Sequence, residues 1–167
     1  GAVDEGAQPR VFRRLQLQKR PGLRRIEVFE MRLRLGQAQF LARRDVPTPY
    51  LVMDLDLVAE NYRKLKTAVP RAAIYYAVKA NPAPEVLKTL AGLGSSFDTA
   101  SVNEIDMALA SGVTADRLSY GNTIKKEADI AAAFGRGVRL YAFDSESELG
   151  KLSRAAPGSR VFCRILT

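Results

Sequence analysis

Ala73-Ile74-Tyr75-Tyr76-Ala77-Val78-Lys79 is an apolar run closed by a lysine, and its pattern returns at even intervals down the chain. Apolar segments centred on Phe97, Leu118, Leu140 and Val161 follow Tyr75 at separations of 22, 21, 22 and 21 residues. Helical spacing fills the intervals. Pro84 opens the first helix, where its missing N–H is harmless; Val86, Leu87, Leu90 and Leu93 share a face, and Gly92 and Gly94 end it. Ser101 caps a second helix carrying Ile105 and Leu109, and Glu104, three residues on, completes a capping box. Ile130, Ala133 and Phe134 mark a third helix, and Ser145–Ala155 reads as a fourth. Units of constant length predict parallel strands joined by helical crossovers. No Gly-x-Gly-x-x-Gly turn follows the first strand, so the pattern favours a (β/α)8 barrel over a doubly wound sheet. About five βα units are present, whereas a closed barrel takes roughly 250 residues. The expected fold is α/β, a partial (β/α)8 TIM barrel, and the chain reads as part of a protein.

Working outward, Pro47-Thr48-Pro49 marks an extended entry, Tyr50–Met53 is a short strand-like run, and Leu55, Val58, Tyr62 and Leu65 follow helical spacing. Residues 47–167 therefore form the barrel portion. Residues 1–46 show mixed polarity without a sustained period and read as an irregular or partly helical basic leader. Residues 1–47 hold eleven basic and five acidic side chains, which is +6 of the chain's net charge of +8. The basic excess thus lies outside the periodic region. No aromatic–basic interleaving of the kind that stacks bases is present, so no nucleic-acid partner is expected.

The single Cys cannot form an internal disulfide, and the chain has no His, which excludes His-dependent triads and His-based metal sites within it. No metal site is expected. No apolar run approaches the roughly 18 residues of a membrane helix, and Arg and Gln interrupt the N-terminal hydrophobics, so no signal peptide is expected either. A cytoplasmic protein without a membrane partner is the expectation.

Lys79 is the residue with chemistry in it. An apolar strand that ends on Lys delivers an amine to the C-terminal rim of a barrel, the face on which barrel active sites lie. Apolar walls disfavour the ammonium form, as an amine that must attack a carbonyl requires. A strand-end lysine can equally snorkel to solvent, and position alone favours that reading. Cys163 alternates onto the same face as Val161 and Ile165, which predicts a core residue and not a nucleophile.

Five ordered motifs shift the balance. Tyr76-Ala77-Val78-Lys79-Ala80-Asn81-Pro82 is similar to the pyridoxal-phosphate lysine motif of the fold-III, alanine-racemase-like decarboxylases. Phe97-Asp98-Thr99-Ala100-Ser101 with Glu104 resembles their second-strand signature. Ser119-Tyr120-Gly121-Asn122-Thr123-Ile124-Lys125-Lys126 resembles the third-strand motif in its bacterial ornithine decarboxylase form. Phe143-Asp144-Ser145-Glu146 and Arg160–Thr167 continue the match in order. The resemblance runs from about Pro47 to Thr167.

It implies a PLP-dependent carboxy-lyase converting L-ornithine to putrescine in polyamine biosynthesis. The same fold also serves decarboxylases of lysine, diaminopimelate or a carboxylated polyamine, and non-catalytic homologues that act as regulatory binding proteins. Lys79 would be the catalytic Schiff-base lysine that holds pyridoxal 5'-phosphate. Asp98 and Glu104 match cofactor-binding positions near that lysine, and Arg164 one close to the cofactor ring. For Asp98 a solvated strand-end charge, and for Glu104 a plain capping acid, remain open alternatives. Asn122 and Lys125 would shape the third strand's loop. The resemblance further implies a homodimer in the full-length protein. It also implies a later His stacked on the ring, a Gly-rich phosphate loop, a Glu beside the pyridine nitrogen, and a C-terminal β-domain. None of these features lies within Gly1–Thr167, so this stretch alone is expected to have little or no decarboxylase activity.

Overall fold

The computed structural model describes residues 15–18 and 51–165. Two compact units divide the chain, the first ending at Glu60 and the second running Asn61–Thr167. In the first, β1 (Leu15–Gln18) pairs antiparallel with β2 (Leu51–Asp54), Leu15 opposite Asp54. The leader therefore contains a strand that its sequence, read as irregular, did not announce. The buried Asp54 ends β2 and starts α1 (Leu55–Ala68), its Oδ1 accepting a hydrogen bond from the Leu57 N–H at 3.0 Å. This is N-capping by the residue type that does it best.

The second unit carries the site. Its strands are β3 (Tyr75–Ala77), β4 (Ser96–Thr99), β5 (Leu118–Tyr120), β6 (Leu140–Phe143) and β7 (Arg160–Cys163). All neighbouring pairs are parallel, and their order in the sheet is their order in the chain. A doubly wound sheet would reverse that order at a switch point; unbroken succession is the arrangement of barrel strands. Between strands lie α2 (Pro84–Gly92), α3 (Val102–Ala110), α4 (Glu127–Gly135) and α5 (Glu146–Ala155).

Alternation along the strands separates two faces. Phe97, Thr99, Leu118, Tyr120 and Tyr141 are buried, as are Val86, Leu87 and Leu90 of α2, Ile105 and Ala108 of α3, Ile130 and Ala133 of α4, and Leu152 of α5. Burying each large aliphatic or aromatic side chain contributes about 1.5–3 kcal/mol. Returns from helix to strand need a left-handed backbone, supplied by Gly94 at φ +91° and Gly137 at φ +93°. At Gly137 an added Cβ would also meet the Ala115 Cβ at 3.0 Å.

The first strand is shorter than the apolar run suggests. Ala73 and Ile74 precede it, and at Val78 the chain tightens into a 3-10 turn over Val78–Ala80. Cys163 also departs from expectation, for it is free and exposed. Alternation placed it on the correct face, but β7 is the edge strand of the described sheet, and no described helix covers its outer side. Among the described residues no helix is long and apolar enough to cross a membrane.

Candidate functional site

Lys79 sits in the 3-10 turn that follows β3, at the C-terminal edge of the sheet, and its side chain is exposed. The turn is held on both sides. Val78 is completely buried, and the half-buried Tyr76 donates its hydroxyl to the Asn81 carbonyl at 3.3 Å while packing edge-on against Phe97 at 6.2 Å. Burial pushes the Tyr76 phenol up, with the Asn81 contact pulling it partly back, so it stays a neutral donor. Asn81 is buried, and its Oδ1 accepts from the Ala83 N–H at 3.1 Å, fixing the step into α2. A lysine flanked by such anchors has its Cα fixed and only its side chain free.

An open cleft of about 540 Å³ lies on the face of the sheet away from the helices, and Lys79, Asp98, Ser119, Gly121, Phe162 and Arg164 line it. Strand register explains the gathering, since Ala77 pairs with Asp98 and Asp98 with Ser119 across β3, β4 and β5. Asp98 is half-buried, and its Oδ1 accepts the Ser119 hydroxyl at 2.6 Å. Gly121 lies against the same carboxylate: a Cβ there would overlap both Oδ1 and Oδ2. Any side chain at 121 would therefore displace Asp98.

The structure thus brings Lys79, Asp98 and Arg164 to one cleft and leaves Glu104 out of it. The Glu104 carboxylate accepts the Ala100 N–H at 2.8 Å, while the Glu104 N–H donates to the Ser101 hydroxyl at 3.2 Å. Its use is N-capping, with the acid reaching one residue further back than the usual box. Ser119, Gly121 and Phe162 were not singled out from the sequence. Period-two counting from Asp98 and Arg164 along their strands, combined with the register, is the signal that finds them.

Beside the cleft the loop after β5 is laced to its neighbours. The Lys125 side chain is fully buried; its amine donates to the carbonyls of Asn122 and Ala142, each at 2.7 Å, and pairs with Glu148 Oε1 at 2.8 Å. It also lies 5.5 Å from the centroid of the Tyr120 ring. Asn122 Nδ2 donates to the Ala100 carbonyl at 2.8 Å, and the Gly121 N–H to Thr99 O at 2.8 Å. Burial pulls the Lys125 amine down, only partly opposed by its pairing with Glu148. For Glu148 burial acts upward, but Lys125 and Lys151 together outweigh it and hold the carboxyl below the ordinary glutamate range.

Residues 55–167 match the family described as pyridoxal-dependent decarboxylase, pyridoxal binding domain. The chain is 44% identical over 134 residues to a lysine/ornithine decarboxylase from Selenomonas ruminantium, covering 80% of this chain and 34% of that protein. It is 43% identical over 119 residues to antizyme inhibitor 2 from Xenopus laevis, covering 71% of this chain and 26% of the relative. The crystal structure of SrLDC in complex with PLP and cadaverine superposes with a TM-score of 0.74 at 43% identity, covering 81% of this chain and 35% of that one. The chain thus spans about a third of the length of these decarboxylases.

Proposed function

Since the chain belongs to the pyridoxal-dependent decarboxylase family, whose cofactor is pyridoxal 5'-phosphate, we propose that Lys79 is the covalent anchor for that cofactor in the decarboxylation of a basic amino acid. The single observation that supports this reading is one cleft lined by Lys79, Asp98 and Arg164, where Gly121 leaves the Asp98 carboxylate its space.

The residues present fit the group. Lys79 supplies the amine, Phe162 an apolar surface, Arg164 a cation and Asp98 an acceptor, in a cleft whose size is ordinary for a cofactor site. When bound, the cofactor supplies the electron sink for the pair left behind as CO2 departs. Asp98, held by the Ser119 hydroxyl, can accept a proton-bearing partner from the Lys79 side of the cleft and keep it oriented. Arg164, on the strand-end rim of β7, offers a fixed positive charge that favours anionic groups entering the cleft. Glu104 contributes at most through the Ala100 turn that it caps, which carries the backbone out of β4 beyond Asp98.

L-Ornithine, giving putrescine for polyamine formation, is the substrate we infer first, on the wording of Phe97–Ser101 and Gly121–Lys126. L-Lysine fits equally well with the lysine/ornithine decarboxylase at 44% identity. Cytoplasmic location and a homodimer are part of the same proposal and rest on family resemblance. A regulatory, non-catalytic reading has one observation in its favour, the 43% identity to antizyme inhibitor 2, and Lys79, Asp98 and Arg164 in one cleft speak against it.

Borohydride trapping of pyridoxal phosphate, followed by peptide mapping, should place the cofactor on Lys79 ahead of other lysines, and the Lys79→Ala chain should lose that label. Labelling spread evenly over all lysines would overturn the assignment. In the described residues the cleft stays open to water, so the 167-residue chain should release little or no putrescine or cadaverine. The gene product carrying it, given ornithine and lysine in competition, should release putrescine first; cadaverine first would shift the substrate to lysine.

A further inference from the structure

We propose that Lys125 is a positioning residue for the cleft: its buried amine, tied to Glu148, clamps the loop after β5 so that Gly121 holds the Asp98 carboxylate in place. The inference rests on the reading of Lys79 as anchor and deepens it.

The Lys125 ammonium donates to two main-chain carbonyls from different segments and forms an ion pair with the Glu148 carboxylate. Asn122 O belongs to the loop after β5, Ala142 O to β6, and Glu148 to α5. One side chain therefore ties the exit of one strand to the next strand and the helix after it. The tie continues in the opposite direction, because Asn122 Nδ2 donates to Ala100 O and Ala100 N–H in turn donates to Glu104. Glu148, Lys125, Asn122, Ala100 and Glu104 form one line across the exits of β4 and β5 and onto β6. Gly121 is covalently joined to Asn122 in that line, and it is the residue whose missing Cβ gives the Asp98 carboxylate its space. With Lys125 neutralised, the Gly121 N–H bond to Thr99 O and the Asn122 amide would still hold the start of the loop, but its tie to β6 through the Ala142 carbonyl would be gone.

A surface lysine would do this poorly. Burial makes the alternatives expensive, since Lys125 without Glu148 leaves an uncompensated charge in the interior, and Glu148 without Lys125 keeps only the half-buried Lys151. The loop therefore has one low-energy position. Lys125 does not line the cleft; its action is through the backbone carbonyls it binds.

The test is competitive labelling of the 167-residue chain with pyridoxal phosphate and borohydride, scored as the ratio of Lys79 to the exposed Lys88 by peptide mapping. Wild type should favour Lys79. Lys125→Met should lower the ratio roughly tenfold, short of the ~100-fold that a 1 Å misplacement of an aligned group can cost. Asn122→Ala, which strands no buried charge, should lower it about threefold, as loss of one hydrogen bond predicts. Lys125→Arg should recover part of the loss. A lysine with only a folding role would shift the unfolding midpoint and leave the ratio of the folded chain at the wild-type value. If Lys125→Met does not fold, Asn122→Ala decides. Preferred labelling of Lys79 that is unchanged in Asn122→Ala and in folded Lys125→Met overturns the clamp alone. A wild-type ratio near one overturns the anchor reading and the clamp with it.

Discussion

The N-termini of α3 and α5 are written in the same four-residue code and end in different structures. Ser101-Val102-Asn103-Glu104 and Ser145-Glu146-Ser147-Glu148 both place a Ser whose hydroxyl accepts the N–H of a Glu three residues on, at 3.2 and 3.3 Å. Glu104 then turns back to the Ala100 N–H, as a capping acid does. Glu148 turns inward, where it is buried, and takes Lys125 and Lys151 as partners. The cause lies one unit back. Lys125 precedes Glu148 by 23 residues, and the same step back from Glu104 reaches Asn81, a neutral amide with no charge to neutralise an acid, whose Oδ1 accepts the Ala83 N–H. A local motif specifies what an acid can do; the residue brought against it decides what it does.

Substituting the two acids alike gives the largest contrast. Glu148→Gln should destabilise the chain by about 3–5 kcal/mol in urea unfolding, because it removes the charge that neutralises a buried lysine. Glu104→Gln should change it by less than about 1 kcal/mol, since Gln serves a capping box as well. Similar losses at both positions would erase the distinction. The pH dependence sharpens it. Glu148 is held below its ordinary 4.5, so its contribution is present above that pH and is lost as the pH falls through the lowered folded value. Wild type should therefore lose more stability than Glu148→Gln on acidification below pH 4.5.

Gly121→Ala comes next in size. The new methyl must push Asp98 aside and break its bond with Ser119, which should lower stability by about 1–3 kcal/mol and abolish preferential trapping at Lys79. Ser101→Ala and Ser145→Ala make the smallest pair, each expected to lower stability by about 1 kcal/mol. A much larger loss for Ser145→Ala would mean that the cap itself orients Glu148 toward Lys125.

Much of the fold was legible because each βα unit repeats one length, and strand, helix and turn patterns are local. Tyr75, Phe97, Leu118 and Leu140 all fall in strands of the observed sheet, and Ser101 and Ser145 are helix caps. The strand Leu15–Gln18 was not legible: four alternating residues are too few to establish a period, and its partner β2 is far along the chain. Lys79 stood out by its place at a strand end. Its neighbours did not, since Ser119 and Gly121 reach the cleft only through the register of β4 on β5.

By itself the sequence determined the repeating strands and helices from Tyr50 onward, the Ser caps of two of those helices, and the lysine that follows the first barrel strand, because those depend on side-chain periods and caps within a few residues. Only the tertiary structure decided that Cys163 is exposed, that Glu148, written in the same code as Glu104, neutralises Lys125, and that Gly121 lies against Asp98. Each of these depends on how strands some twenty residues apart align and on what covers them, and that is settled by packing across the sheet.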